Sequence, residues 1–449
     1  MLVPRHRLAA RCAAVAALLT APVVALSAPA SADGGRAAEP AAVQADFDHD
    51  GLADVTASSP AGYQSVRYGG TDGRNQTVTV DPARSTARDL DEDGYADLVS
   101  GDTIRWGSAE GLTEAALTIP ADQQFGGSGV TSGDFDGDGH ADLVAQKKDA
   151  EEWGDLRVLY GPFTREGTAS RSSDLSTGRT FDPTRMVSGD ITGDGRDDLV
   201  TLHAFEEMSE SSQFWAGGAD GLATKSTTLP DAASAAIGDV DADGYGDLVI
   251  RTVPGGVVEN LPYDAGTVKV LYGTAKGPST SRTTTLTQDS AGVPGVSEDG
   301  DQFGYDLAAA DVNGDGYADV AAGVPYEDLT AKGRPVKDAG SVVLLKGGAK
   351  GLTGTGAQAV HQDTAGVPGA AESKDYFGSA LWTGDTDGDG HPDLGVGAPG
   401  EDTSNADTGA VWLLRGSPAG LTSEGSTAFN PAEIGAPDAD ARLGSDFAS

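Results

Sequence analysis

Short apolar stretches, cut off by Gly, Pro and Asp, recur along this chain from about residue 41 to residue 449. One type follows an Asp-Gly-rich turn, as in Asp319-Val-Ala-Ala-Gly-Val324 and Asp393-Leu-Gly-Val-Gly-Ala398. A second type ends on Gly and leads into a Gly-rich turn. Its copies are SVRYGGTDG from Ser65, TIRWGSAEGL from Thr103, LRVLYG from Leu156, QFWAGGADGL from Gln213, VKVLYGTAKG from Val268, VVLLKGGAKGL from Val342 and VWLLRGSPAGL from Val411. Runs of this kind between turn residues predict strands. Each repeat predicts about four: one before the Asp-rich turn, one after it, the Gly-terminated run and a Thr/Ser-rich segment. Four such strands make one propeller blade, so the pattern predicts an all-β, seven-bladed β-propeller.

The turn between the first two strands carries the chemistry. It reads D-x-D-x-D-G-x-x-D, or a close variant, seven times: DFDHDGLAD, DLDEDGYAD, DFDGDGHAD, DITGDGRDD, DVDADGYGD, DVNGDGYAD and DTDGDGHPD. Carboxylates at alternate positions around a tight turn repel one another unless a hard cation sits between them, which predicts a calcium-binding hairpin loop in each blade. Position 1 is Asp46, Asp89, Asp134, Asp190, Asp239, Asp311 or Asp385. Position 3 is Asp48, Asp91, Asp136, Thr192, Asp241, Asn313 or Asp387, and position 5 is Asp50, Asp93, Asp138, Asp194, Asp243, Asp315 or Asp389. Position 6 is always Gly, where the backbone turns sharply. Position 7 offers a backbone carbonyl, from Leu52, Tyr95, His140, Arg196, Tyr245, Tyr317 or His391. Position 9 closes the cage with a last carboxylate, from Asp54, Asp97, Asp142, Asp198, Asp247, Asp319 or Asp393. Up to seven Ca²⁺ are expected. The loops with Thr192 and Asn313 have one charge fewer, and the one at Asp190, which also carries Arg196 and the non-ligating Asp197, is expected to be weakest. An EF-hand needs Glu at position 12 and flanking helices; Ala57, Ala145 and Ala322 stand there instead.

These residues resemble the FG-GAP repeat family, the blades of the integrin α-subunit head. The sixth copy opens on Phe303-Gly304 and ends on Gly323-Val324-Pro325; the seventh opens on Phe377-Gly378 and ends on Gly397-Ala398-Pro399. The third keeps only Phe125-Gly126, and the first, second, fourth and fifth keep the loop without the full frame. The resemblance covers about residues 41 to 449 and implies a secreted bacterial member of the family, with the cation loops on one face and ligands on the other.

Leu443-Gly444-Ser445-Asp446-Phe447 matches the opening of a blade with no loop after it, whereas the first loop has no Phe-Gly before it. The C-terminal segment is therefore expected to dock beside the first repeat and close the ring. Loop spacing grows from 43 and 45 residues at the start to 72 and 74 at the end, which places long connections in the last three blades. Two of these, QDSAGVPGVSEDGDQFG and QDTAGVPGAAESKDYFG, repeat each other. Between the second and third strands come Tyr326-Glu327-Asp328 and Gly400-Glu401-Asp402, followed by Asp338 and Asp407, with a relative at Asp264. Such residues either cap turns or bind a ligand.

Arg5, Arg7 and Arg11 precede an apolar stretch from Ala13 to Leu26, and Ala30-Ser31-Ala32 offers a cleavage site. Residues 1–32 read as a signal peptide, 33–40 as a flexible segment and 41–449 as the propeller, released outside the cell with no membrane span. Cys12, inside the leader, is the one cysteine, so calcium rather than disulfides is expected to staple the ring. Losing the leader moves the formal charge from −39 to −42, which argues against nucleic-acid and anionic-membrane partners.

Catalysis finds little support. His49, His140 and His391 sit inside the loops, where their side chains are expected to face solvent, and His203 and His361 belong to no catalytic motif. Gly395-Val-Gly397-Ala-Pro-Gly400 matches G-x-G-x-x-G but contains Pro and precedes a loop. No catalytic or organic-cofactor residue is assigned. Tyr68, Trp106, Tyr160 and Tyr272 precede the Gly that ends the third strand and read as packing between blades, whereas Tyr263, Tyr326 and Tyr376 are candidates for ligand contact. The expected function is a monomeric extracellular binding or adhesion module for a protein or glycan. A lectin is the alternative; a hydrolase-associated propeller, on analogy with phospholipases that carry similar repeats beside a separate catalytic domain, is a further one.

Overall fold

A computed structural model describes residues 45–449 except 71–72, 81–83, 149–153, 206–207, 258–263, 332 and 404. The leader, the 33–40 segment and Tyr263 therefore lie outside the described residues. No helix occurs among the described residues, which form seven antiparallel blade sheets, six of four strands and the fourth with a short fifth strand, plus one small two-stranded hairpin. In the third blade the strands are Phe125–Gly133, Asp142–Lys147, Asp155–Tyr160 and Arg171–Ser176, paired in chain order. The sixth runs Leu307–Ala310, Asp319–Val324, Ser341–Lys346 and Thr353–Val360, and the seventh Ala380–Gly384, Asp393–Ala398, Ala410–Arg415 and Thr422–Phe429.

The core is distributed around the ring, with one hydrophobic cluster at each junction between neighbouring blades. This is why the third strands read as unbroken apolar runs. Successive side chains leave a strand on opposite faces, and here both faces are covered by other blades. Val343 and Leu345 pack toward the fifth blade, whereas Val342 and Leu344 pack toward the seventh. The aromatic residues that end third strands behave as expected. Tyr68 and Tyr160 are buried, and their hydroxyls accept from the backbone N–H of Leu112 (3.0 Å) and Leu222 (3.2 Å) in the next blade.

The segment at Asp446–Ser449 closes the ring. Asp446–Phe447 is the innermost strand of the first blade, with Ala57 opposite Phe447 and Ser58 opposite Asp446. Ser449 then bonds the first strand of the second blade through Ser85 O (3.0 Å) and Ala87 N (3.0 Å). The innermost strands line an axial cavity of about 340 Å³, into which Arg84, Arg185, Asp306 and Asp446 project. Arg84 pairs with Asp446 at 3.3 Å and Arg185 with Asp306.

Candidate metal centres

Six of the Asp-rich loops are hairpins between the first and second strands of their blades; the loop at Asp46 leads into Val55–Ser59, whose inner neighbour is Asp446–Phe447, and all seven adopt the same local structure. The position-6 glycines lie at φ between 82° and 92°, a region that a side chain disfavours. Their N–H groups donate to the position-1 carboxylate at 2.8–3.0 Å in every loop. The position-7 N–H donates to the position-5 carboxylate at 2.9–3.3 Å in every loop. The alternating carboxylates thus shape the turn that gathers them.

Three carboxylates converge within 4.8 Å in the five loops that have Asp at position 3. In the first and seventh loops these are positions 1, 3 and 5: Asp46, Asp48 and Asp50, and Asp385, Asp387 and Asp389. In the second, third and fifth they are positions 1, 3 and 9: Asp89, Asp91 and Asp97, then Asp134, Asp136 and Asp142, then Asp239, Asp241 and Asp247. The loops at Asp190 and Asp311, with Thr192 and Asn313, assemble no such trio among the described residues.

Position 9 does more than the sequence suggests. Its carboxylate is buried, and it bridges the loop to the end of the third strand. Asp142 accepts from Phe135 N and Gly161 N (both 2.9 Å), and Asp247 from Val240 N (3.0 Å) and Gly273 N (2.8 Å). Burial pushes Asp54 and Asp97 up to about 8, Asp142 and Asp247 to about 7 and Asp198 to about 6, with the amide hydrogen bonds pulling the other way. Asp319 is raised for the same reason and is held by Lys346 at 2.9 Å.

The oxygens present suit a hard cation. Asp48 Oδ1, Asp89 Oδ1, Asp91 Oδ1, Asp241 Oδ1 and Thr192 Oγ1 are buried and have no hydrogen-bond partner. Orphaned acceptors of this kind are costly in a dry site, and Ca²⁺ takes six to eight such oxygens.

The loops also touch one another. The position-8 N–H of a loop donates to the position-1 carbonyl of the preceding one in Ala53→Asp385 (2.9 Å), Ala96→Asp46 (2.8 Å), Asp197→Asp134 (2.9 Å), Gly246→Asp190 (3.0 Å) and Ala318→Asp239 (2.9 Å). These five bonds, with the His140–Glu92 contact, join the loops into a belt on one face. Two loop histidines touch the neighbouring loop; His49 remains exposed as expected, whereas His140 is half-buried. His49 Nδ1 lies against the carbonyl of Gly94 and His140 against Glu92, because each loop abuts its neighbour. Asp197, set aside as non-ligating, accepts from Asp134 N at 2.9 Å across the same seam. On the opposite face, Asp328 and Asp402 cap turns, accepting from Asp338 N (2.9 Å) and Asp407 N (2.8 Å). There Tyr326 packs edge-on against Tyr305 (6.0 Å between ring centres) and Tyr376 (5.4 Å), joining the sixth and seventh blades.

Fold and loops define a class: a closed seven-bladed propeller with an acidic loop in every blade. Parts of the chain match known repeats and proteins. The FG-GAP repeat matches residues 303–345 and 377–414, and an FG-GAP-like repeat matches residues 89–145. Integrin alpha-PS2 of Drosophila melanogaster is 36% identical over 27% of this chain and 8% of its own length. Integrin alpha pat-2 of Caenorhabditis briggsae is 31% identical over 47% of this chain and 17% of its own length. The chain thus spans less than a fifth of these relatives. Among solved structures, a chain from a complex of BBS1N with ARL6DN aligns over 87% of this chain and 90% of its own, at 10% identity and a TM-score of 0.45. The chain carries FG-GAP and FG-GAP-like repeats over these stretches and is similar over part of its length to integrin α chains.

Proposed function

We propose that this protein is a secreted, calcium-binding propeller that binds an extracellular protein or glycan and does no chemistry itself. Residues 1–32 serve as the signal peptide and 41–449 form the ring. Calcium in the belt stiffens the ring, and ligand is met on the opposite face. The observation that carries this reading is the division of labour between faces. One face holds the acidic loops with their unpartnered oxygens, and the other holds the long connections of the last blades with the Tyr305–Tyr326–Tyr376 cluster. No helix among the described residues is long and apolar enough to cross a membrane. A lectin is the second reading, favoured by those tyrosine rings, since aromatic faces stack on sugars.

The test is binding of residues 33–449 to glycan and extracellular-protein arrays in millimolar calcium, beside a chelated sample. Selective signal that is lost in Tyr326→Ala/Tyr376→Ala supports a ligand face there, and a monosaccharide competitor separates sugar from protein. Blank arrays from folded protein count against the binding reading. Turnover that survives repurification and is lost on mutating a residue outside the loops would make the protein an enzyme instead.

A further inference from the structure

Every acidic loop has a basic side chain on one of its carboxylates. Arg74 pairs with Asp48, Arg165 with Asp91 and Asp93, Arg171 with Asp136 (2.5 Å) and Arg196 with Asp194 (3.1 Å). Arg282 pairs with Asp241 and with Asp243 (3.2 Å), Lys346 with Asp319 (2.9 Å), and Arg415 with Asp387 (3.4 Å) and Asp393 (2.5 Å). The pairing follows position 3. All five loops with Asp there have an arginine on that Asp, and the loops with Thr192 and Asn313 place their base on another carboxylate.

Four of these arginines are held by an aromatic ring. The guanidinium carbon of Arg74 lies 3.7 Å from the ring centre of Tyr68, that of Arg171 3.4 Å from Tyr160, that of Arg282 4.1 Å from Tyr272 and that of Arg165 5.0 Å from Trp106. Arg74, Arg171 and Arg282 sit at or just before the start of the fourth strand. The second blade has no arginine there, and Arg165 of the third blade reaches across to fill the place. In the sixth and seventh blades Lys346 and Arg415 stand where the aromatic residue would be and reach the loop from that position. With Arg196, which comes from position 7 of its own loop, four different routes bring a positive charge to these carboxylate clusters, so the charge is the common feature.

We propose that these side chains are resident counter-ions that compete with calcium and set the affinity of each loop. The proposal rests on the reading of the loops as cation sites. Without calcium the guanidinium neutralises part of the cage and holds the turn together; with calcium the doubly charged ion takes the carboxylates and the arginine stays on its ring. A guanidinium held beside a bound cation repels it, so affinity is lower than the carboxylate count alone predicts. Tyr68, Trp106, Tyr160 and Tyr272 gain a second role beyond packing, as the surface that keeps the displaced arginine close.

The test is the variant Arg74→Gln/Arg165→Gln/Arg171→Gln/Arg282→Gln, with calcium binding measured by calorimetry and thermal melts recorded in chelator and in saturating calcium. Calcium binding is expected to tighten about fivefold at the altered loops, the size of one exposed ion pair of about 1 kcal/mol. The melt in chelator is expected to drop while the calcium-saturated melt holds, and Arg282→Lys is expected to bind calcium within about twofold of the parent. Unchanged or weaker calcium binding overturns the proposal, since the arginines would then be neutral to the loaded cage or support it. A parent protein that gives no heat with calcium and no melting shift removes the cation reading as well. Should the fourfold variant not fold, Arg171→Gln and Arg282→Gln alone carry the same comparison.

Discussion

Glu401 and Asp375 meet at the buried amide of Gln362, whose Nε2 donates to Glu401 at 2.6 Å; Gln288 makes the same bond to Glu327 at 2.7 Å one blade earlier. Burial, then the charge of Asp375, pushes Glu401 up to about 8, and burial pushes Asp375 to about 6 and Asp301 to about 7. Folded values above the unfolded ones mean that these carboxyls hold protons the unfolded chain has released. Their contribution to stability is complete below the ordinary carboxyl range and is lost as pH rises through the folded values. In saturating calcium the melting temperature should therefore fall between about pH 5 and about pH 8. Glu401→Gln, which cannot ionise, should flatten that fall and gain on the order of 1–2 kcal/mol at the upper end, discounted for partial exposure. A pH–melting profile that is parallel in the two proteins would count against it. The repeated Gln-Asp strings at 288 and 362 are visible in the sequence, but nothing there says that Gln362 meets a residue 39 positions on. The cage residues are legible because ligands and turn fall within one nonapeptide. The counter-ions are not, because Arg74 lies 26 residues from Asp48 and Arg165 lies 72 from Asp93.

Between elements, the Phe-Gly and Gly-Ala-Pro signatures acquire a common cause. A Cβ on Gly397, in the second strand of the seventh blade, would stand 2.0 Å from the carbonyl oxygen of Gly444, in the Leu-Gly that closes the ring. A Cβ on Gly323 would meet the carbonyl oxygen of Gly378 at the same 2.0 Å, so each opening lies directly on the backbone of the preceding blade. Gly397→Ala should cost about 2–4 kcal/mol by forcing the blades apart, whereas Gly348→Ala, with open space around it, should change stability by less than about 0.5 kcal/mol. Urea unfolding of the two variants checks this, and equal midpoints would contradict it. Strands were legible where both faces are buried and the run is continuous, as in Ser341–Lys346. The small hairpin of Leu329–Ala331 and Arg334–Val336, and the Gly256–Val257 strand added to the fourth sheet, were not. Their pairing is fixed by long connections whose course the local pattern does not record.

For the whole molecule, stability depends on a ring that must close and on an acidic belt that must be neutralised. Leu443 and Phe447 are buried in the cluster between the seventh and first blades, and deleting residues 442–449 removes them with the innermost strand of the first blade. That deletion should lower the melting temperature by roughly 5 °C or more and expose a pairing edge that promotes association; an unchanged melt would contradict closure by this segment. Neutralisation is the second requirement. On the cation reading, each loop held in calcium a hundredfold above its dissociation constant adds about 2.7 kcal/mol, so a filled belt contributes more than the net stability of an ordinary domain. Chelator should therefore lower the melting temperature well beyond the effect of any single substitution above. Resident arginines alter the form of that loss. They keep the turns together at reduced stability, so far-ultraviolet circular dichroism at 20 °C should change little on chelation even as the melt shifts. Calcium should restore the melt in proportion to the logarithm of its concentration once the sites are near saturation, with a slope that grows with the number of loops filled. A melt indifferent to both chelator and calcium would mean that the arginines and lysine alone neutralise the belt.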